Sequence, residues 1–220
     1  MVYLYLIHIS KTFFGDPLRH IKLIGVTGTN GKTTVTYLIK SILETAKKKT
    51  GLIGTNQNMI GKTVIPTERT TPESFELYKI FRQMADEGVE YVVMEVSSHA
   101  LDLHRVDGCT FAVAAFTNLT QDHLDFHGTM ERYYEAKRKL FNMCETAVIN
   151  IDDTYGARLA KECRCDVLTY GADKEAAALT ASNIAVTAKG VRYDLGYKGQ
   201  KYGARVGIPG KDVYKRQCLR

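Results

Sequence analysis

The chain contains 220 residues, 45% of them hydrophobic, which is enough to bury a core and excludes an intrinsically disordered protein. Its formal net charge of +6 suits anionic ligands, yet the basic residues are scattered without interleaved aromatic residues, so we expect no nucleic-acid binding. The apolar start at 1–9 lacks a basic n-region and is too short to span a bilayer, so no membrane association is expected.

The five cysteines form no CxxC pair, so the sequence predicts neither a zinc site nor a disulfide framework. Ordinary thiols are the expected state, and a reducing cytoplasm is the expected location. The cysteines are Cys109, Cys144, Cys163, Cys165 and Cys218.

The first informative stretch is Lys22–Thr34, KLIGVTGTNGKTT. Its pattern predicts an apolar strand over Leu23–Val26, then a glycine-rich turn, then a helix that begins at Lys32 and Thr33. This order of elements is the arrangement of a phosphate-binding loop.

The residue types in the turn suit phosphate chemistry. Gly28 and Gly31 have no Cβ, so backbone N–H groups can line a concave nest for oxygen anions. Lys32 adds a positive charge for the terminal phosphates, and the Thr33 hydroxyl is placed to ligate Mg2+. The strict pattern requires a glycine where Val26 stands, so a purely structural glycine-rich turn is the alternative.

The segment Thr27–Thr34, TGTNGKTT, resembles the ATP loop of the Mur ligases and of the related folylpolyglutamate synthases. The resemblance extends from about Phe13 to about Gly171, with a weaker stretch to Pro209. It implies an enzyme that uses ATP to join a carboxylate to an amine. It also implies nucleotide contacts from Gly28, Thr29, Asn30, Gly31, Lys32, Thr33 and Thr34.

Apolar residues recur at helical spacing after the loop, which predicts an amphipathic helix that continues to about Ala46. Gly51 is a plausible stop, before a strand that starts at Leu52. The segment Asn58–Ile65, with Gly61 and Lys62 inside it, suits a small hairpin.

The next helix is expected to have Thr71 as its N-cap and Pro72 as its first residue. Capping could be the only role of Thr70 and Thr71. In the family that the chain resembles, this pair also contacts the UDP-sugar substrate, and Arg69 lies beside it. The apolar face of the helix is expected to contain Phe75, Tyr78, Phe81, Met84 and Ala85.

The apolar run Tyr91–Val96 contains one carboxylate, Glu95. Such a run indicates a buried strand of a parallel sheet, where a carboxylate is costly unless it is paired or bound to a metal. Glu95 stands near the carboxyl end of that strand, which is where open α/β sheets bind ligands. It is therefore either a Mg2+ ligand that faces the ATP phosphates or the partner of a nearby lysine or arginine.

The block MEVSSHAL, with a later arginine, resembles the branch of the family that adds the third residue of the peptidoglycan stem peptide. In that branch the residues that match Ser97 and Arg105 hold the UDP-sugar peptide. Leu103 stands where some members have a substrate-binding glutamine, so that role is not transferred. His99 is expected to be a structural histidine.

A second buried strand, Phe111–Thr117, leads into the polar segment Asn118–Asp125. A third strand end thus delivers polar groups to the edge where the phosphate loop lies. His123 can ligate a divalent ion as a neutral imidazole, and Asp122 or Asp125 could orient it. The family resemblance favours this metal role over an ordinary surface histidine.

A helix is expected over Thr129–Asn142, with Lys137 on its apolar stripe. Burial lowers the pKa of a lysine and leaves a nucleophilic amine that can take up CO2 as a carbamate. In the family, the lysine of this Tyr-x-x-Lys-x-x-Leu-Phe block is carbamylated and binds Mg2+. A side chain that extends to solvent is the alternative.

A short strand at Ala147–Asn150 precedes Asp152 and Asp153. These aspartates either lie beside the nucleotide, as the resemblance implies, or form a turn and a helix N-cap. Another strand is expected at Asp166–Gly171, and the alternation over Ser182–Tyr202 predicts an antiparallel hairpin or small sheet.

The expected fold is α/β, with a mainly parallel P-loop sheet flanked by helices and a small antiparallel extension near the C-terminus. By resemblance, residues 1–20 are a linker remnant, residues 21–209 form a central ATP-binding domain, and residues 210–220 depart from the family.

The resemblance further implies a monomer that uses ATP, Mg2+ and a carbamate on Lys137. The reaction would add a diamino acid, meso-diaminopimelate or alternatively lysine, to UDP-N-acetylmuramoyl-L-Ala-D-Glu through an acyl phosphate. Another Mur ligase, a folylpolyglutamate synthase, or a nucleotide-binding fragment that is inactive alone are the alternatives. The implied catalytic residues are Lys32, His123 and Lys137, and the implied metal ligands are Thr33, Glu95, His123 and Lys137.

Overall fold

The computed structural model describes residues 2–172 and 176–207, without the side chains of 2–5 and 8. The tail expected at 210–220 lies outside the described residues. The described helices are α1 (Val2–Phe13), α2 (Lys32–Thr45), α3 (Ser74–Asp86), α4 (Ser98–Asp102), α5 (Leu124–His127), α6 (Met130–Arg138) and α7 (Thr154–Glu162). The described strands are β1 (Lys22–Thr27), β2 (Thr50–Ile53), β3 (Asn58–Ile60), β4 (Thr63–Ile65), β5 (Tyr91–Glu95), β6 (Phe111–Phe116), β7 (Cys144–Asn150), β8 (Asp166–Ala172), β9 (Leu179–Thr187), β10 (Gly190–Tyr197) and β11 (Gln200–Val206).

One 11-stranded sheet organises the described residues, in the order β11-β10-β9-β8-β7-β6-β1-β5-β2-β3-β4. The strands from β9 across to β2 pair in parallel. Antiparallel pairs extend the sheet at both ends, through β10 and β11 on one side and β3 and β4 on the other. The expected α/β fold, the small hairpin and the antiparallel extension are confirmed.

The parallel strands are apolar because both faces of the sheet are covered. On β5, Val92 and Met94 pack into one hydrophobic core, and Val93 packs into the core on the opposite face. Helix α2 covers the second core with Val35 and Ile39, whereas α3, α6 and α7 contribute to the first. Because both faces of the sheet are covered, the ends of the strands are the places where polar groups can meet a ligand.

Helix α3 begins at Ser74 with Glu73 as its N-cap, so the prediction that Thr71 and the following proline start this helix is wrong. The Thr71 hydroxyl instead donates to the Glu95 carbonyl oxygen at 2.8 Å and accepts the Ser97 backbone N–H at 3.1 Å. These bonds satisfy the Glu95 carbonyl and the Ser97 N–H, which are backbone groups at the buried end of β5. A buried backbone group without a partner costs more free energy than a missing cap at an exposed helix end.

Two further details differ from the sequence prediction. Gly51 lies inside β2, where it pairs with Val92 of β5, and not between elements. Glycine is needed there because a Cβ would overlap the sulfur of Met84 in α3. Phe75 is 51% exposed and packs against the rings of Phe13 and Phe14 outside the main core.

Helix α1 has no counterpart in the sequence prediction, and α7 is anticipated there only through the possible N-cap at Asp152 or Asp153. Ile7 of α1 and Leu159 of α7 are both buried in the first core, which explains their order. Within the described residues, none of the helices combines the length and the apolar character needed to cross a bilayer.

The carboxyl ends of β5, β1 and β6 lie side by side. Val26 of β1 pairs with Glu95 of β5, and Thr27 pairs with Phe116 of β6. The phosphate loop after β1, the carboxylate of β5 and the polar segment after β6 therefore meet at one edge of the sheet, as predicted.

Candidate functional site

The glycine-rich loop between β1 and α2 has the backbone that its glycines permit. Gly28 has a φ of 145° and Gly31 a φ of 91°, values that residues with a Cβ rarely adopt. A Cβ on Gly28 would also overlap the Thr117 hydroxyl oxygen. That hydroxyl donates to the Asn30 carbonyl oxygen at 2.7 Å, so the end of β6 fixes the loop at the point where only glycine fits.

Asn118 holds the tip of the loop from the neighbouring strand end. Its carbonyl oxygen accepts the Thr29 N–H at 2.8 Å. Its side chain accepts the Asn30 N–H at 3.0 Å and donates to the Asn30 carbonyl oxygen at 3.1 Å. The sequence pattern places Asn118 only in a polar segment, and its bracing role depends on the adjacency of β1 and β6.

Lys32 lies folded over the loop. Its Nζ donates to the carbonyl oxygens of Gly28 at 2.8 Å and Thr29 at 2.9 Å. Burial lowers the pKa of Lys32, while the negative charges of Glu95 and Asp122 oppose that shift. The ammonium group therefore lies directly against the backbone of the glycine-rich loop.

Glu95 is 1% exposed and lies beside the first turn of α2. Its Oε2 accepts the hydroxyls of Thr33 at 3.0 Å and Thr55 at 3.1 Å, and its Oε1 accepts the Thr55 N–H at 3.0 Å. Among the described residues no lysine or arginine forms an ion pair with Glu95, so the ion-pair alternative is not supported.

The Thr33 and Glu95 oxygens have a spacing that suits a small cation. Ligands at 2.0–2.1 Å in an octahedral Mg2+ site put neighbouring oxygens about 2.9 Å apart. The observed separation of 3.0 Å between Thr33 Oγ1 and Glu95 Oε2 fits that geometry.

Thr55 is absent from the sequence prediction, because nothing near it in the sequence indicates a contact with a strand 40 residues away.

Lys137 is 1% exposed, so the alternative in which it extends to solvent is wrong. Its Nζ donates to the Gly28 carbonyl oxygen at 2.9 Å and lies 4.6 Å from the centre of the Tyr133 ring. Burial lowers its pKa well below the ordinary value, and the nearby charge of Lys32 acts in the same direction, whereas Asp122 opposes them. The structure confirms the buried position that the helical periodicity predicts.

Tyr133 and His127 complete the wall around this lysine. The Tyr133 hydroxyl lies 3.3 Å from the Thr29 hydroxyl of the loop, and its ring stacks on His127 at 4.9 Å between centroids. His127 Nε2 lies 2.9 Å from the Ser98 hydroxyl, and burial lowers the pKa of His127. The sequence prediction assigns no role to His127, because its spacing gives no sign that it faces the lysine helix.

His123 occupies the rim of the same cluster. It is the left-handed residue before α5, with a φ of 51°, and its ring lies 5.0 Å from that of His99 and 6.1 Å from that of Tyr133. Its Nε2 is 3.6 Å from a carboxylate oxygen of Asp122. His99 also packs on Phe126, and its pKa is lowered by burial first and by the charge of His123 second.

The residues expected at the UDP-sugar substrate lie together beside Glu95. Arg105 is 9% exposed and donates to the Thr71 carbonyl oxygen at 3.2 Å. The Glu73 carboxylate pairs with Arg105 at 2.7 Å and with Arg69 at 2.9 Å. The Thr70 hydroxyl lies 3.0 Å from that of Thr55, which contacts Glu95.

Ser97 and Arg105 differ in how their polar atoms are used. The Ser97 hydroxyl accepts the Ala100 N–H at 3.1 Å and thereby caps α4. Within the described residues, Arg105 Nε is buried with no hydrogen-bond partner. The other nitrogens of its guanidinium bond to the Thr71 carbonyl oxygen and to Glu73, which hold the side chain in a fixed position.

Asp152 and Asp153 have structural roles that account for both. Asp153 caps α7 by accepting the N–H groups of Tyr155 and Gly156, and it also accepts the Leu119 N–H at 3.0 Å. Asp152 accepts the Ala172 N–H at the end of β8. The turn and N-cap alternative is therefore confirmed.

Comparison with known proteins gives consistent results. The Mur ligase middle domain matches residues 26–215. The UDP-N-acetylmuramoyl-L-alanyl-D-glutamate--2,6-diaminopimelate ligase of Clostridium botulinum is 51% identical over 202 residues, and that of Caldanaerobacter subterraneus subsp. tengcongensis is 52% identical over 203 residues. Each alignment covers 92% of this chain and 42% of the relative, so the chain spans about two-fifths of the length of these relatives.

Solved structures show the same fold. A structure of a UDP-N-acetylmuramoyl-L-alanyl-D-glutamate--2,6-diaminopimelate ligase superposes with a TM-score of 0.85 and 28% identity over 96% of this chain and 44% of the other. The Mycobacterium tuberculosis folylpolyglutamate synthase complexed with ADP and AMPPCP gives a TM-score of 0.77 at 16% identity, over 98% of this chain and 57% of the other. At that identity the second similarity concerns the fold alone.

Proposed function

Because the chain belongs to the Mur ligase family, we propose that it is the central ATP-binding domain of an ADP-forming ligase. The ligase adds a diamino acid, meso-diaminopimelate, to UDP-N-acetylmuramoyl-L-Ala-D-Glu in peptidoglycan synthesis. The names of relatives at 51% and 52% identity support this substrate choice. In this proposal residues 21–209 form the domain, and residues 1–20 are the linker that enters it.

One observation carries the proposal: two lysines from different helices converge on one carbonyl oxygen of the phosphate loop. Lys32 and Lys137 donate to the Gly28 oxygen at 2.8 and 2.9 Å. Glu95 reaches the same loop through Thr33. A glycine-rich turn with only a structural role does not require a buried amine and a buried carboxylate on either side of it.

The reaction joins two anions, so the site has to reduce their repulsion. The glutamate carboxylate of the acceptor attacks the γ-phosphate of ATP and becomes an acyl phosphate, while ADP leaves. The amine of the diamino acid then displaces phosphate and forms the amide. Lys32 and the N–H groups of Gly31, Lys32 and Thr33 at the start of α2 bind the phosphate oxygens and stabilise the charge that develops on them, whereas the N–H groups of Thr29 and Asn30 are held by Asn118.

In this proposal Thr33 and Glu95 would hold one Mg2+ ion at the phosphates, and His123 with the carbamate of Lys137 would hold a second. When bound, Mg2+ offsets negative charge on the phosphates and on the attacking carboxylate. Thr55 holds both carboxylate oxygens of Glu95, so the carboxylate keeps its orientation before a metal binds.

The carbamate on Lys137 is supported by the burial of that side chain. A lowered pKa increases the fraction of uncharged amine, which is able to add CO2, and the product carries a negative charge. Lys32 lies on the same carbonyl oxygen and offsets that charge. Tyr133 and His127 shield the amine from solvent on the other side.

The acceptor is bound by Arg69, Thr70, Thr71, Ser97 and Arg105 in this proposal. The buried guanidinium of Arg105 and the exposed guanidinium of Arg69 suit the anionic groups of a UDP-sugar peptide. Their common partner Glu73 keeps both in place when no substrate is bound.

A second function is favoured by the length of the chain relative to its relatives. The chain spans 42% of those ligases, so it is able to bind the nucleotide and still lack turnover on its own. A folylpolyglutamate synthase, the alternative that the resemblance of the loop leaves open, would use a different acceptor for the same chemistry.

The test is phosphate release from ATP and Mg2+, with and without UDP-N-acetylmuramoyl-L-Ala-D-Glu plus diaminopimelate, and with and without bicarbonate. Release that requires this acceptor establishes the ligase. Release only with a folate acceptor plus glutamate overturns the substrate choice. Binding of a non-hydrolysable ATP analogue without release establishes the nucleotide-binding domain, and absence of analogue binding overturns the proposal as a whole.

A further inference from the structure

Three thiols lie together at the edge of the sheet opposite the candidate site. Cys144 begins β7, Cys163 follows the last residue of α7, and Cys165 precedes β8. All three are partly exposed free cysteines. Because β7 and β8 point their carboxyl ends toward the phosphate loop, their amino ends lie about 20 Å from it.

The sulfur atoms of Cys144 and Cys165 are 3.5 Å apart. The two residues lie at the start of neighbouring parallel strands, where β7 pairs with β8 from Thr146 and Asp166 onward. A disulfide bond needs a sulfur separation of about 2.05 Å, so the two sulfur atoms have to approach by about 1.5 Å. Cys144 is the first residue of β7 and pairs with Phe111, whereas Cys165 lies before β8, so rotation of the side chains together with movement of the Cys165 segment can supply that approach.

We propose that Cys144 and Cys165 form a reversible intramolecular disulfide, a modification site separate from the nucleotide site. For Cys165, Cys163 is a less suitable partner than Cys144. Cys163 lies only two residues from Cys165, and a disulfide across that spacing closes a small, strained ring. The proposal is independent of the ligase function.

The pair is accessible to a small oxidant. Cys144 and Cys165 line one surface depression together with Arg138, Arg158 and Arg164. Burial raises the pKa of Cys163 to about 12, and burial raises that of Cys144 too. The raised pKa lowers the thiolate fraction of Cys144, so we expect its thiol–disulfide exchange to be slow at neutral pH.

The reaction requires a low-molecular-weight disulfide as oxidant. One protein thiolate attacks a sulfur of that reagent, which releases one thiol and leaves a mixed disulfide. The second protein thiolate attacks the protein sulfur of the mixed disulfide and releases the second thiol. Two protein thiols thereby lose two protons and two electrons, and the reagent disulfide is reduced to two thiols.

The disulfide would join the end of the lysine-bearing helix to the end of α7. Cys144 follows the segment that closes α6, and its sulfur contacts the Phe141 carbonyl oxygen at 3.7 Å. The closed loop contains β7 and α7, and it restricts the unfolded chain. For a loop of about 20 residues in a protein of this size, we expect the melting temperature to rise by about 5–10 °C.

The experiment uses the chain with Cys218→Ser, which removes a thiol outside the described residues. This chain is treated with oxidised glutathione at mildly alkaline pH. The disulfide links are then mapped by trypsin digestion and by mass spectrometry without reduction. Trypsin cleaves after Lys161 and Arg164, so Cys163 and Cys165 fall in different peptides. The expected product is a peptide pair linked through Cys144 and Cys165, in the parent chain and in the Cys163→Ser control.

Cys144→Ser is expected to give only a glutathione adduct, and the oxidised parent chain is expected to melt at the higher temperature. A linked pair that contains Cys163 instead, or glutathione adducts without any internal link while circular dichroism shows a folded chain, overturns the proposal. Mapping of the parent chain is decisive even if a variant does not fold.

Discussion

The Nζ of Lys137 donates a hydrogen bond of 2.9 Å to the carbonyl oxygen of Gly28, so a buried amine contacts the phosphate loop directly. The two residues are 109 positions apart in the chain. Their contact exists because α6 places both Lys137 and Tyr133 against the loop that follows β1. The contact therefore joins the expected nucleotide loop to the lysine that is expected to be modified.

Lys137→Ala is expected to abolish carbamate formation and to lower any acceptor-dependent phosphate release by about 100-fold, with partial recovery when a small carboxylate is added. Isotopically labelled bicarbonate followed by carbon NMR measures the carbamate without turnover. The matched control is Lys139→Ala, which removes an exposed lysine paired with Asp102. An unchanged carbamate signal in Lys137→Ala would refute the assignment.

The stability of the chain is expected to increase with pH on account of Lys137. Its pKa is lowered in the folded state, so the unfolded chain binds more protons between that lowered value and the ordinary value of 10.5. The free energy of unfolding therefore rises with pH across this window. Urea unfolding in CO2-free buffer at several pH values measures the slope, which should be smaller in Lys137→Met. An equal slope in both chains would mean that the amine is charged when buried.

Gly28→Ala is expected to destabilise the fold by about 2–4 kcal/mol, because φ is positive and the new Cβ overlaps the Thr117 hydroxyl. Gly61→Ala is the control, since Gly61 also has a positive φ, of 56°, but has open space around its Cβ position. Urea unfolding of both variants separates the overlap from the backbone strain. Equal losses would show that the contact with β6 has no energetic weight.

Tyr133→Phe is expected to weaken nucleotide binding about fivefold, because it removes the hydroxyl that lies 3.3 Å from Thr29 in the loop. The ring remains and still covers Lys137. Calorimetric titration with an ATP analogue gives the affinity. Tyr134→Phe serves as control, since its hydroxyl bonds to Glu162 away from the loop and should leave affinity unchanged.

Thr55→Val is expected to raise the Mg2+ concentration needed for nucleotide binding by about tenfold, because Glu95 loses a hydroxyl that orients it. The backbone N–H of residue 55 still bonds to Glu95 in the variant. Thr63→Val changes an exposed threonine in β4 and should have no effect. A Mg2+ titration at fixed analogue concentration compares the three chains, and no shift in Thr55→Val would remove Thr55 from the site.

The elements that sequence periodicity predicts well are those whose pattern is set by local geometry. The run Tyr91–Val96 and the helix after the loop agree with the structure within a residue or two, because a strand covered on both faces must be apolar throughout and a helix on a sheet must show a stripe. The same reasoning assigns Lys137 to the buried face of its helix, where its side chain is 1% exposed.

The errors arise where a distant contact outweighs a local preference. Thr71 has the composition of an N-cap, yet it bonds to the end of β5. Gly51 resembles a helix stop, yet it lies in a strand. It is a glycine there because α3 packs too closely to leave room for a Cβ. Neither partner is near in sequence, so no local pattern reports them.

The sequence by itself determined the fold class, the phosphate loop and the family, because each depends on residue order within short segments. Only the tertiary structure decided what surrounds those segments. Lys137 is covered by Tyr133 of its own helix, and His127 of α5 stacks on that ring. The bracing of the loop by Asn118 and the orientation of Glu95 by Thr55 join the ends of different strands. Such contacts follow from the order of strands in the sheet, which brings together residues that are 40 to more than 80 positions apart in the chain.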